Sequence, residues 1–241
     1  MRGLPVVDDD VADGNPEPAE ALHPRGPRGS PRRVTFTLAI DTALAHCQAA
    51  LIDEAGHVAA YAGAPAQGDA EAIVDHVAAV LAEAGASFDD VARVAVTVGP
   101  GSFTGVRVGV AYAKGVAFAR QIPAVGVTTL EAMAHMAGGS VLAAIDARHG
   151  AVFALLSVEG PIKMKRMAVD EALELAKDVG AGVVGPADAV AALGEGEVIE
   201  RIDLRAVAAL AGGDPDGREP TPLYLAPVDA RPQTHKVLAR A

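Results

Sequence analysis

The sequence predicts an α/β fold of two related halves, the second reduced in size, preceded by a disordered extension. Three observations lead there. From residue 33 the apolar pattern switches repeatedly between the periods of strands and helices. LAID at 38–41 returns as AAID at 143–146, each Asp closing a strand with another apolar strand close behind, which is the mark of internal duplication. A glycine-rich turn at 99–105 joins a strand to a helix. The chain divides accordingly into an extension at 1–33, a first lobe at 34–137, and a second, smaller lobe with a C-terminal tail at 138–241.

Residues 1–33 hold six of the 16 prolines, the run Asp8-Asp9-Asp10 and the basic segment PRGPRGSPRR. Such a segment buries too little apolar surface to offset its ordering entropy, so it reads as a solvated tail. It also lacks the apolar centre of a signal peptide. Strands follow at 34–40, 47–52 and 57–62, with a turn at 53–56, and short links make these neighbours antiparallel. Helical spacing of Ile73, Val77, Val80, Leu81 and Ala84 marks a helix from Asp69, stopped by Gly85. Next come a strand at 93–98, the glycine turn, a helix from about Thr104 to Arg120, a strand at 124–127 and a helix capped by Thr128 or Thr129. The second half opens with strands at 143–146 and 151–158. Helices at 170–177 and 186–193 and strands at 182–184 and 197–202 follow, and the prolines of TPLYLAPVDARPQ end regular structure.

Composition narrows the function. The chain has 241 residues, 51% apolar and 21% charged, and 20 Lys plus Arg against 31 Asp plus Glu give a net charge of −11. That balance argues against gripping a polyanion over a broad surface. A single cysteine, Cys47, excludes an internal disulfide framework and fits a reducing cytoplasm. The most apolar stretch, 91–127, is broken by Arg93, Arg107, Lys114 and Arg120, so no membrane span is expected.

GPGSFTGVRVG at 99–109 carries the sharpest signal. A strand-to-helix turn gathers free N–H groups and the positive end of a helix dipole, where a phosphate binds. The spacing of Gly99, Gly101 and Gly105 is one residue too long for the dinucleotide fingerprint, and no P-loop lysine follows. A tight turn capped by Ser102 or Thr104 explains the residues equally well. Asp41 and Thr42 close the first strand and place a carboxylate and a hydroxyl beside that turn. Asp146 is the only obvious second acid for a metal-dependent nuclease, and it belongs to the other half. The seven histidines form no His-x-x-x-His or His-Glu-x-x-His pair, so no metal site is expected. In the helix after the turn, Gly105, Gly109, Ala113 and Ala117 make a stripe of small residues. It serves either packing on the chain's own sheet or a subunit interface.

LAIDTA (38–43), VGPGSFTGVRVGVAYAKGVAFA (98–119), IPAVGVTTLEAMA (122–134), AAIDARHGAVF (143–153) and PLYLAP (222–227) together resemble the TsaB, or YeaZ, family of the wider TsaD-like (glycoprotease-like) superfamily. The resemblance implies an actin-like, sugar-kinase-like ATPase fold of ribonuclease H-like lobes. It implies a non-catalytic role in placing the threonylcarbamoyl group on the adenosine beside the anticodon of tRNAs. The partners implied are a TsaD-like catalytic subunit, met through helices of the first lobe, and a TsaE-like ATPase, with tRNA reached through the complex. A homodimer is the alternative state of the free chain. Where TsaD carries paired metal-binding histidines, this helix begins Asp69-Ala70-Glu71-Ala72-Ile73.

Two readings follow. In the first, the chain is a scaffold subunit without catalytic residues. In the second, it is a stand-alone phosphotransferase or peptidase of the same fold. Under either, the candidate nucleotide loop is Asp41, Thr42, Gly99, Gly101, Ser102, Thr104 and Gly105, with ATP or ADP as its ligand. The candidate interface is Gly105, Gly109, Ala113 and Ala117.

Overall fold

A computed structural model describes residues 35–66, 72–158, 163–213 and 218–224. The extension at 1–33, the stretch around Asp69 and the end of PLYLAP lie outside them.

The first sheet holds β1 (Phe36–Asp41), β2 (His46–Asp53), β3 (Val58–Pro65), β4 (Val91–Thr97) and β5 (Ala124–Val127), in the order β3-β2-β1-β4-β5. β1 and β2 are antiparallel, with Leu38 opposite Leu51 and Asp41 opposite Gln48, whereas β4 and β5 add in parallel. The second sheet holds β6 (Val141–Asp146), β7 (Ala151–Ser157), β8 (Lys163–Ala168), β9 (Gly182–Gly185) and β10 (Glu197–Val198), in the order β10-β9-β6-β7-β8. Each sheet has a central strand with an antiparallel pair on one side and parallel strands on the other. This is the duplicated actin-like, ribonuclease H-like arrangement, and β1 and β6 are its equivalent central strands.

Helices fill three layers. α1 (Ile73–Glu83) and α2 (Phe103–Arg120) cover the outer face of the first sheet, with Val77, Val80, Val106 and Val110 packed on Leu38, Ile40, Leu51 and Val96. α4 (Val169–Asp178) and α5 (Ala187–Leu193) cover the outer face of the second, Ala172, Ala176 and Leu193 meeting Leu142, Val152 and Ala154. Between the sheets lie α3 (Thr129–Ala137) and α6 (Leu204–Gly212), where Leu130, Met133, Ile202 and Val207 join Ala39, Ala95 and Val127 to Ile145 and Leu155. The stretches Leu38–Ile40 of β1 and Val94–Val96 of β4 are buried and apolar on both faces, as parallel strands covered on two sides require.

Local signals explain the helix ends. The Ser102 Oγ accepts from the Gly105 N–H, and Gln121 closes α2 in the left-handed region. Thr128 and Glu131 form a reciprocal capping box on α3. Asp203 caps α6, and Arg93 Nη1 donates to the Ala211 carbonyl near its far end at 2.7 Å.

The structure corrects the reading of the C-terminal part. α6 is a helix that the sequence reading lacks, because LRAVAALAG is rich in alanine and offers weak periodicity. It packs on β1, β4 and β5, so the chain returns to the first sheet after the second and does not keep to one lobe beyond 138. The segment at 218–224 continues that return, with Gly126 N–H donating to Arg218 O and Leu223 N–H to Val98 O, both at 2.8 Å. β8 was also unanticipated, since Lys, Arg and Met in KMKRMA have little strand preference. The strand expected at 197–202 is confined to Glu197–Val198.

Candidate functional site

The carboxyl ends of β1 and β4 bring Asp41, Thr42 and the glycine turn together. Asp41 is fully buried. Its Oδ1 accepts from Thr97 Oγ1 at 2.7 Å and from the Ala43 N–H at 3.0 Å, and its Oδ2 accepts from Gln48 Nε2 at 3.0 Å. Burial pushes the carboxyl above its ordinary value, opposed by the hydrogen bonds from Thr97, Ala43 and Gln48 and by the nearby His46. The carboxylate is thus committed to protein donors and turned away from solvent.

The glycines approach this strand end closely. A Cβ on Gly101 would lie 2.1 Å from the Ala43 carbonyl oxygen, one on Gly105 2.0 Å from that of Thr42, and one on Gly109 2.3 Å from Thr42 Oγ1. The Ser102 N–H donates to Ala43 O and Thr42 Oγ1 donates to Gly105 O, both at 2.7 Å. Gly101, Gly105 and Gly109 therefore follow a packing spacing: one glycine every four residues lets the turn and the start of α2 lie against residues 42–43. Gly99 sits at φ +93 and accepts from the Thr129 N–H at 2.9 Å, joining the turn to α3.

The interface expectation for the small-residue stripe is corrected by the same geometry. Gly105, Gly109, Ala113 and Ala117 are all buried against the chain's own first sheet. Partner contact would require taking that packing apart. The opposite face of α2 is open: Phe118 is 88% exposed and Phe103 47%. Phe88, Tyr112 and Val116 line a shallow apolar groove there with Arg120 at its end. Arg107 stacks 3.8 Å over Phe103 and donates to Tyr224 Oη at 2.7 Å.

A cleft of about 600 Å³ separates the lobes at these strand ends. Gly101, Ser102 and residues 43–45 form one wall, and Asp146, Arg148, Phe153, Asp188 and Glu200 lie on the other. Of the predicted loop residues, Gly101 and Ser102 reach this cleft, Thr104 is exposed, and Asp41 and Thr42 are buried behind the wall. Cleft carboxylates outnumber its one guanidinium, an unfavourable setting for a polyphosphate.

Sequence reasoning missed the polar chain behind Asp41. Gln48 Nε2 also donates to Ile202 O at 2.8 Å, Tyr61 Oη donates to Gln48 Oε1 at 3.0 Å, and Arg201 Nη1 donates to Tyr61 Oη at 3.1 Å. A glutamine inside an apolar strand was the available signal. Burial, with the Asp41 charge nearby, pushes the Cys47 thiol up to about 11, which leaves it unreactive. Among the described residues, no group of three or more His, Cys, Asp or Glu is placed to hold a metal ion, and no helix is long and apolar enough to cross a membrane.

Comparison with known proteins agrees with this architecture. The sequence model of the family described as TsaD, tRNA N6-adenosine threonylcarbamoyltransferase, matches residues 65–200. The Escherichia coli tRNA threonylcarbamoyladenosine biosynthesis protein TsaB is 41% identical over 121 residues, 48% of this chain and 52% of that protein. Its Haemophilus influenzae counterpart is 37% identical over 123 residues, 48% of this chain and 51% of that one. The chain spans about half the length of the curated relatives it matches. A solved structure of YeaZ from Pseudomonas aeruginosa superposes with a TM-score of 0.60 at 27% identity, covering 79% of this chain and 100% of that one. A second solved structure from the same organism, with similarity to peptidase YeaZ, gives a TM-score of 0.65 at 25% identity and covers 80% and 100%. With more than half of its length matched by the family model, the chain belongs to the family of TsaD, tRNA N6-adenosine threonylcarbamoyltransferase, and its named relatives there are the TsaB, or YeaZ, proteins.

Proposed function

We propose that this chain is a non-catalytic scaffold and activator subunit in the biosynthesis of tRNA threonylcarbamoyladenosine. It pairs with a TsaD-like catalytic subunit and a TsaE-like ATPase, and tRNA is modified on that complex. The observation that carries the reading is Asp41. Holding a metal-bridged phosphate at this strand end would take a free carboxylate, whereas this one is buried and bound by Thr97, Ala43 and Gln48. Its glycine turn is likewise filled by the backbone of residues 42–43. Catalysis by metal or phosphate would need those groups released.

The surface offered to the catalytic partner is the open face of α2. Exposed aromatics with an arginine at each end are the composition of an interface centre. Co-expression with a TsaD-like subunit tests the pairing. The two chains are expected to co-elute as a complex, and Phe118→Asp is expected to abolish co-elution while the free variant stays folded. Separate elution of the wild-type chains under all nucleotide conditions would remove the scaffold reading.

A further inference from the structure

The turn between β6 and β7 holds successive residues in the left-handed region: Arg148 at φ 59, His149 at φ 55 and Gly150 at φ 68. Gly150 suits that conformation; Arg148 and His149 do not. Asp146 Oδ1 fixes the turn by accepting from the Arg148 N–H at 3.0 Å. Both side chains are exposed, and Arg148 stands on the cleft wall beside half-buried Phe153. On β8, Arg166 lies opposite Phe153 in register, and its Nη2 donates to the Arg148 carbonyl at 3.4 Å.

Two arginines thus lie beside a half-buried ring that packs on the core with one side and lines the cleft with the other, and neither guanidinium has a carboxylate partner among the described residues of a chain with net charge −11. The neighbouring acids are engaged elsewhere: Asp146 with the Arg148 N–H, Asp188 with that of Ala189 and Glu200 with that of Ala187. On the opposite face of β8, Lys165 is paired with Glu171. A charge on an edge strand can serve to block sheet extension, which would account for Arg166 but not for Arg148 or its disfavoured turn.

We propose that Arg148, Phe153 and Arg166 form a contact for an RNA strand, the guanidinium groups on phosphates and the ring beneath a base. Cation and ring alternation is what a single-stranded segment needs. The carboxylates that line the cleft with Arg148 repel phosphate, so the strand runs toward Arg166, which lies outside that lining. This assignment deepens the tRNA reading above and rests on it for the identity of the RNA.

The test is fluorescence anisotropy of the full chain with an unmodified tRNA transcript over a salt series. The wild type is expected to bind with an affinity that falls steeply with salt. Arg148→Ala/Arg166→Ala should weaken binding at least about tenfold and reduce the slope of log K against log salt by about one per arginine. Phe153→Ala should weaken binding about tenfold with the slope unchanged. Lys177→Ala, on α4, should change neither. Arg148→Gly separates binding from folding: glycine fits φ 59, so thermal stability is retained or raised while binding weakens. No salt-dependent binding by the wild type, or a double variant indistinguishable from it, overturns the proposal. So does capture of an acidic peptide by the same arginines without any tRNA binding. Failure to pair with a TsaD-like subunit sinks the scaffold reading but leaves this measurement intact. A complex that modifies tRNA with undiminished tRNA affinity when carrying the double variant does the reverse.

Discussion

Gln48 donates to the buried carboxylate of Asp41 at 3.0 Å with the same nitrogen that donates to Ile202 O at 2.8 Å. One side chain on the first sheet therefore satisfies the central acid and ties it to the segment entering α6. Gln48→Leu keeps the volume but leaves the Asp41 Oδ2, the Ile202 carbonyl and the Tyr61 hydroxyl without this partner. Each buried group so stranded costs roughly 1–3 kcal/mol, so chemical denaturation should show a loss of at least about 2 kcal/mol.

The pH dependence of stability should carry the signature of Asp41. Burial raises its folded value above the unfolded one, against the hydrogen bonds from Thr97, Ala43 and Gln48. The folded state then holds the proton more tightly. Stability falls as pH rises from the unfolded value, near 3.8, toward the raised folded value, and the loss is complete above it. Asp41→Asn removes that titration. Denaturation from pH 3.5 to 7 should show the stability of the wild type relative to the variant declining with pH; a constant or rising difference would contradict a raised folded value.

The glycines of α2 divide by environment. Gly105→Ala places a methyl 2.0 Å from the Thr42 carbonyl oxygen and should destabilise the isolated chain by about 1–3 kcal/mol or more. Gly115→Ala meets nothing within 4 Å and should stabilise it by roughly 0.5–1 kcal/mol. Thermal unfolding of the two variants side by side checks this; equal effects would show that the close approach at Thr42 is absent.

The open face of α2 gives the converse. Phe118 is 88% exposed, so Phe118→Ser should leave the stability of the free chain within about 0.5 kcal/mol. Binding to a TsaD-like partner, measured by calorimetry, should weaken by at least about 2 kcal/mol if the ring is an interface anchor.

Much of this was legible in residues. The runs that became β1, β2 and β4 are mostly apolar, and of the caps the residues offered, Ser102 or Thr104 and Thr128 or Thr129, the first of each pair starts α2 and α3. The echo of LAID in AAID predicted internal duplication, which the two matching sheet orders bear out. The stripe from Gly105 to Ala117 was legible as a close-packing face, but periodicity alone does not say what packs there; Thr42 does, from 63 residues away. Gln48 was hidden for a similar reason, since its carbonyl partner lies 154 residues later. Arg148, Phe153 and Arg166 meet only because β8 pairs with β7, and β8 was the strand that residue preferences did not reveal.

Threonylcarbamoyl transfer to a tRNA transcript tests the scaffold role most directly, run with this chain, a TsaD-like subunit and a TsaE-like ATPase, each omitted in turn. Modified nucleoside should form with all components, fall to background without this chain, and be absent when this chain acts alone with ATP, threonine and bicarbonate. Robust modification by this chain alone, or undiminished modification in its absence, would contradict the account.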